Sequence, residues 1–324
     1  MLETSAPDER SRFRGALLGV VVGDALGAPL EGHPGPIPDE RVRALDGDHV
    51  ELLYTDDTAM TIALAESLLE RAELDQDHLA ARFVAHYCRQ PNRGYGPGTA
   101  RLLSELAAGA AWAPAAAAQF RGQGSFGNGA AMRVAPIALH TGGELLRVGQ
   151  LARHSALVTH THPAAVDGAV AQATAIALAL RAPAVGPLDG GAFLAAIVAA
   201  VGDGEVVGAL RSLSDLVESD EAPPPAAVAA RTGTGVAAAE SVPAAIAAFL
   251  VRPNSFVETV RFAISLGGDT DTIASMAGAV AGARLGEQAV PARWRQRTEA
   301  ASLLVELADR LADAAGARTA GPAG

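Results

Sequence analysis

Two short stretches crowd carboxylates and hydroxyls together. One is Thr55-Asp56-Asp57-Thr58; the other is Asp269-Thr270-Asp271-Thr272, directly after Gly267 and Gly268. Each opens an apolar run of helical character. Asp and Thr have an ordinary role there, because a helix start leaves amides without partners and its dipole favours anions. That role explains one such stretch more readily than two with doubled acids. If the two meet in space, four carboxylates and several hydroxyls form the hard oxygen donor set that a divalent cation such as Mg2+ requires. Glu31 is a further candidate, at the end of Gly23-Asp24-Ala-Leu-Gly27-Ala-Pro-Leu-Glu31. A solvated loop acid is its simpler reading; a carboxyl placed for acid–base work is the sharper one.

A third element is glycine-rich: Gly122-Gln-Gly124-Ser125-Phe126-Gly127-Asn128-Gly129. Glycines expose amides, and a helix start adds a field that attracts anions, so this loop could cradle a phosphate. It is no P-loop, since the Gly-Lys-Ser/Thr ending is absent. Glycine-rich turns between helices are also common. His154, His160 and His162 cluster nearby, but no further His or Cys spacing supports a tetrahedral zinc set.

These residues need a scaffold, and composition restricts it. The 324 residues are 49% hydrophobic and only 4% aromatic, with alanine dominant, which favours closely packed helices over sheet. Gly15, Gly19, Gly23 and Gly27 recur every four residues, on one helical face that lets a partner helix approach closely. Helices are expected over 13–26, 56–70, 75–89, 99–111, 130–139, 145–157, 164–180 and 273–285, with one or two more in 192–217 and another after Gly235; residues 256–265 lead into the second acid stretch, and 290–311 close the fold. Loops are expected over 32–48, 93–98 and 218–225. No alternating pattern is long enough to build a sheet. The expectation is all-α: a single compact orthogonal multi-helix domain over 11–312, with flexible tails at 1–10 and 313–324. The acid stretches sit near both ends of the chain, which argues against separable domains.

The formal net charge is −11 and every basic residue is Arg. An acidic surface disfavours direct nucleic-acid binding. The single cysteine, Cys88, allows no internal disulfide, and the charged start carries no signal peptide, so a cytoplasmic location is expected. No apolar run is expected to span a membrane. Oligomeric state is not encoded in any readable feature.

Five motifs stand in one order: Gly23 to Glu31; Tyr54-Thr-Asp-Asp-Thr-Ala-Met60; Gly124-Ser-Phe-Gly-Asn-Gly129 with Ala-Ala-Met132-Arg133-Val; Thr159-His160; and Leu266-Gly-Gly-Asp-Thr-Asp-Thr-Ile273. Together, over roughly residues 11–286, they resemble the ADP-ribosylglycohydrolase family, which includes the dinitrogenase-reductase-activating glycohydrolases. Arg93-Gly94-Tyr95-Gly96, the glycine loop and Glu240-Ser-Val-Pro243 look closest to the branch that removes serine-linked ADP-ribose and trims poly(ADP-ribose). The resemblance implies a binuclear site in which Thr55, Asp56, Asp57, Asp269, Asp271 and Thr272 hold two Mg2+ ions, or Mn2+. It implies that Glu31 rides a mobile flap at the scissile bond. It also implies that Gly94, Tyr95, Gly124, Ser125, Phe126, Gly127, Asn128, Gly129 and His160 contact substrate. Phe126 stands where that branch usually has Tyr, and Gln123 where it often has Lys; amides and a stacking face remain.

Chemically, four aspartates balance two divalent ions, leaving a near-neutral site for a ribose diol and water. Glycosidic cleavage through an oxocarbenium-like state is helped by a nearby carboxyl, here Glu31. The expected activity is release of ADP-ribose from ADP-ribosylated proteins or conjugates joined through oxygen: serine-linked, poly(ADP-ribose) or O-acetyl-ADP-ribose. The alternatives are an arginine-linked hydrolase, or a catalytically silent binder or structural protein on the same fold.

Overall fold

The glycine series on the first helix meets a matching series on another helix near the end of the chain. A Cβ placed on Gly19 would lie 2.1 Å from the carbonyl oxygen of Gly278, one on Gly15 2.3 Å from that of Gly282, and one on Gly23 2.2 Å from that of Ala274. The two backbones therefore touch along their length, antiparallel, with no side-chain layer between them. Only glycine permits that approach.

The computed structural model describes residues 6–47, 51–217 and 221–319. Its helices, in order, are α1 Glu9–Gly27, α2 Asp39–Arg43, α3 Asp56–Arg71, α4 Gln76–Arg89, α5 Pro97–Ala107, α6 Trp112–Gly122, α7 Ala135–His140, α8 Leu145–Leu157 and α9 Pro163–Arg181. They continue as α10 Gly190–Val201, α11 Glu205–Arg211, α12 Ser214–Val217, α13 Pro225–Thr232, α14 Ala238–Val251, α15 Phe256–Ser265, α16 Thr270–Leu285, α17 Ala292–Arg297 and α18 Ala301–Thr319. Among the described residues β structure is limited to isolated bridges, such as His33 with Gly268. The expected all-α, single-domain architecture is what forms.

Helix α16 is the axis. Every residue from Thr270 to Arg284 is buried, and α1, α9, α14 and α15 all pack on it. A helix without a polar face belongs in a core, and its Ala and Gly residues let four neighbours close in. Its far end is anchored by the buried Arg284, which donates to the carbonyls of Pro183, Gly186 and Pro253. The antiparallel pairing has a functional result: the C-terminal end of α1 lies against the N-terminal end of α16, where Asp269 and Asp271 stand.

Several elements differ from the expected ones. Helix α1 begins at Glu9, capped by Asp8, and α18 runs to Thr319, so helix extends into both stretches expected to be tails. The expected helix over 130–139 is a 3₁₀ turn at Asn128–Ala130 and then α7. Helices α2, α6 and α13 were not expected. Residues 218–220 of the expected acidic connection lie outside the described residues. Helices α1 and α9 are long and apolar enough to cross a membrane, against expectation, but 83% and 78% of their apolar windows are buried within the protein. That is how core helices behave.

Candidate active site

The first acid stretch is held by a residue for which sequence suggested no role. Asp24, in the last turns of α1, is fully buried. Its carboxylate accepts from the Thr55 amide at 3.0 Å, the Thr55 hydroxyl at 2.8 Å, the Thr58 amide at 3.1 Å and the Thr58 hydroxyl at 2.6 Å. Thr55 was expected to cap α3; instead its side chain makes no cap bond, and Asp24 supplies the acceptor from another helix. Burial pushes the Asp24 carboxyl up to about 6, with the four donors pulling the other way. From the other side, Arg93 grips Glu299 with paired bonds of 2.6 and 2.7 Å, lies over the Tyr54 ring and donates to the Tyr54 carbonyl. The turn carrying Asp56 and Asp57 is thus fixed before any ligand arrives. Asp24→Asn should weaken divalent-ion affinity about ten- to a hundredfold, the usual effect of losing a residue that orients ligands. Calorimetric metal titration of a variant with wild-type circular dichroism checks this, and unchanged affinity would reject the role.

The second stretch is placed by backbone bonds. Gly267 and Gly268 both take left-handed φ angles, 76° and 73°. Gly32 donates to the Gly268 carbonyl at 2.8 Å, Gly268 to that of His33 at 2.9 Å, and Asp269 to that of Thr234 at 2.8 Å. These bonds draw the Glu31 loop onto the start of α16. Glu31, Asp269 and Asp271 then bring carboxylate oxygens within 4.8 Å of one another. Thr270 donates to the carbonyl of Gly27 at 2.9 Å, and Thr272 to Asp57 at 3.2 Å, joining the two acid stretches directly. The Glu31 loop, expected to be a mobile flap, is here stitched down by its own backbone.

Both α3 and α16 point their N-termini at this cluster, so their dipoles favour its negative charge. The charge is still excessive without cations. Burial, and then the neighbouring Asp24, push Asp56 up to about 8; burial with Asp24 and Asp271 holds Asp57 well above the carboxylate range. Burial with Asp269 and Glu31 pushes Asp271 up to about 9. Asp57 Oδ1 is buried and has no hydrogen-bond partner among the described residues. An orphaned carboxylate oxygen amid crowded acids fits a cation site, because a divalent ion relieves both costs. The oxygen-only donor set suits a hard cation.

A cavity of about 280 Å³ opens beside the cluster. Glu31, Asp56, Asp57, Asp269, Asp271 and Thr272 form one wall; Ser125 to Gly129 and His160 form another; Gly94, Pro97 and Phe120 border it. Asn128 ties the walls together by donating to Asp269 and to the Ser241 hydroxyl. Glu240 accepts from the Gly235 amide at 2.8 Å and so holds the loop that receives Asp269.

A family profile for ADP-ribosylglycohydrolase matches residues 5–321. The chain belongs to the ADP-ribosylglycohydrolase family. It is 38% identical over 342 residues to the protein named ADP-ribosylhydrolase ARH3 from Mus musculus, covering 91% of this chain and 89% of that one. It is 36% identical over 346 residues to the protein of the same name from Gallus gallus, covering 93% and 92%. A solved structure titled ADP-ribosylglycohydrolase-related protein complex superposes with a TM-score of 0.72 at 30% identity, covering 95% of this chain and 99% of that one. Membership makes the chain a hydrolase of glycosidic bonds.

Within this family member, not every residue expected at the site reaches the cavity. Thr55 lies behind it, bonded to Asp24. Tyr95 is also behind, packed edge-on against Tyr87, its buried hydroxyl without a partner among the described residues. Gly124 is a packing position: a Cβ there would stand 2.1 Å from the Thr161 hydroxyl. Of the loop amides expected to face phosphate, that of Asn128 is already bonded to the Val236 carbonyl. The three histidines do not converge. His162 caps α9 by accepting from the Ala164 amide, while His160 bonds Thr159.

Phe120 was missed. It and Arg121 interrupt α6 with left-handed φ angles of 49° and 62°. Such backbone costs about 1–3 kcal/mol per residue and persists only where surroundings enforce it. Here Gln119 enforces it, its side-chain amide donating to the Thr159 carbonyl and its own carbonyl accepting from Gly124. The result places Phe120, 48% exposed, beside Phe126, 39% exposed, with ring centroids 5.1 Å apart at the cavity mouth.

Proposed function

We propose that this enzyme is a Mg2+-dependent ADP-ribosylhydrolase that cleaves ADP-ribose joined through oxygen, as on serine, in poly(ADP-ribose) or in O-acetyl-ADP-ribose. The observation that carries this reading is the meeting of Glu31 with Asp269 and Asp271 at one end of a cavity whose other end is aromatic. ADP-ribose is polar at the terminal ribose and flat at the adenine, and the cavity has that polarity. The name ADP-ribosylhydrolase borne by relatives at 36–38% identity supports the substrate class.

Asp56, Asp57, Asp269, Asp271 and Thr272, with Thr55 behind them, are the residues that would hold two divalent ions. When bound, the ions neutralise the acids and polarise the ribose hydroxyls. Asn128 keeps the Asp269 carboxylate turned inward. Ser125, Phe126 and Gly129, with His160, offer donors to the diphosphate, and Phe120 and Phe126 offer faces on which adenine stacks. Burial and the Asp269 charge both raise the Glu31 carboxyl, so it retains a proton more readily than a free side chain. That suits donation to a leaving serine oxygen, with the resulting carboxylate then able to accept a proton from water.

The O-linked preference draws on the mouth as well. Phe120, Phe126, Val236 and Pro97 surround it, and among the described residues lining the cavity the acids are confined to Glu31 and the four aspartates. A departing arginine would be a cation with no further acid to meet it. Serine- and arginine-ADP-ribosylated peptides offered at equal concentration with Mg2+ should release ADP-ribose from serine faster by about tenfold or more. Release from arginine alone would overturn the linkage and leave the fold and the acid cluster as described.

A further inference from the structure

We propose that Arg133 and Thr159 are positioning residues that hold His160 as the neutral tautomer with its proton on Nε2, aimed into the glycine loop as a hydrogen-bond donor. Arg133 is fully buried, and among the described residues no carboxylate lies within ion-pair distance of it. Its guanidinium lies over the Phe83 ring, 4.4 Å from the centroid. Nη2 donates to the Ser155 carbonyl at 3.1 Å and to the Thr159 hydroxyl at 2.8 Å. The same hydroxyl is 2.6 Å from Nδ1 of His160.

The donors and acceptors along this chain can be counted. A guanidinium only donates, so the Thr159 oxygen accepts from Arg133. Thr159 is fully buried, and an undonated hydroxyl proton there would carry a desolvation cost. His160 Nδ1 is the acceptor within reach, so the proton points at Nδ1. Nδ1 then carries no proton of its own, and in a neutral ring the proton sits on Nε2. Neutrality is secured independently: burial, then the Arg133 charge, lowers His160 to about 3.

The Nε2 side faces the loop. A Cβ on Gly129 would stand 3.0 Å from Nε2 and one on Gly127 3.7 Å from it. Glycine at 129 is what lets the ring seat there. The loop 122–129 contains no cation. A hydrogen-bond chain that begins at a guanidinium polarises each link after it, so the Nε2–H becomes a stronger donor than an isolated imidazole. The buried charge of Arg133 is thus conveyed to an anion it does not touch. This inference rests on the reading that the ADP-ribose diphosphate lies along the loop.

The test separates the two. In ligand-free, 15N-histidine-labelled full-length protein at neutral pH, long-range 1H–15N spectra should show a pyridine-type Nδ1 and a pyrrole-type Nε2 for His160. Thr159→Val should abolish that pattern and weaken ADP-ribose affinity about tenfold by calorimetry, while Thr159→Ser, which keeps the hydroxyl, should preserve both. A proton on Nδ1 in the wild type, or a Thr159→Val spectrum unchanged from it, overturns the proposal. The expected tautomer in a protein that fails to bind ADP-ribose would sustain the relay and remove the diphosphate reading instead. If Thr159→Val does not fold, the wild-type spectrum and Thr159→Ser still decide.

Discussion

Exhaustive chelation should abolish turnover, and Mg2+ or Mn2+ should restore it. Asp57→Ala and Asp271→Ala should each lower kcat/KM by about a thousandfold or more, roughly 4 kcal/mol of transition-state stabilisation. Both aspartates are buried, and among the described residues no cationic side chain pairs with either to replace a missing metal. Stability should respond in a way that identifies the same residues. A carboxyl whose pKa rises on folding is protonated in the folded state at a pH where the unfolded chain has already lost its proton. Stability then falls as pH rises through that interval. With Asp56 raised to about 8 and Asp271 to about 9, the stripped protein should lose stability from about pH 4 to pH 9. Added Mg2+ should raise Tm, and should do so most at the alkaline end. Full activity after chelation, or a Tm indifferent to Mg2+ at pH 8, would sink the metal assignment.

Glu31→Gln should lower kcat by about a hundred- to ten-thousandfold, the range general acid–base catalysis supplies, with ADP-ribose affinity within about threefold of wild type. The amide keeps the size of the side chain and removes its exchangeable proton. The loop should keep its place, because it is fixed by the backbone bonds between Gly32, His33 and Gly268 and not by the carboxyl. Single-turnover rates beside calorimetry make the distinction. Wild-type turnover in the variant would take Glu31 out of the chemistry, and lost affinity with normal kcat would make it a binding group.

Much of this was legible in the chain. Two acid stretches at helix starts pointed to a carboxylate cluster, and the fold brings them together through Thr272 and Asp57. The four-residue glycine spacing announced a close helix contact, though not its partner. What was hidden depends on contacts distant in sequence. Asp24 resembles any acid near a helix end until Thr55 and Thr58 fold against it. Tyr95 sits between two glycines in a plausible substrate loop, yet its direction is set by Tyr87 on α4. Phe120 and Arg121 are not residues that favour left-handed backbone, and although Gly122 after them marks a turn, nothing local shows that the turn begins two residues before it. The pinning of the Glu31 loop was equally unreadable, since its partners are main-chain groups 235 residues away in Gly268.

The contact between α1 and α16 repeats. Gly15, Gly19 and Gly23 follow one another at the same interval as Gly282, Gly278 and Ala274, so sliding one helix by four residues brings small residues opposite small residues again. Such a slip moves α16 by about 6 Å along α1. The glycine stripe by itself would not register the error, yet Asp269 and Asp271 would arrive a full turn away from Asp56 and Asp57. A ladder that is uniform in the middle must be indexed at its ends. Thr270 bonding the Gly27 carbonyl does this beside the acids, and Ser11 accepting from the Glu287 amide does it at the far end. Two hydroxyls thus index this contact from within it, alongside the Gly268 and Asp269 backbone bonds at the start of α16 and the Arg284 bonds at its end, and the spacing of the four aspartates is inherited from that register.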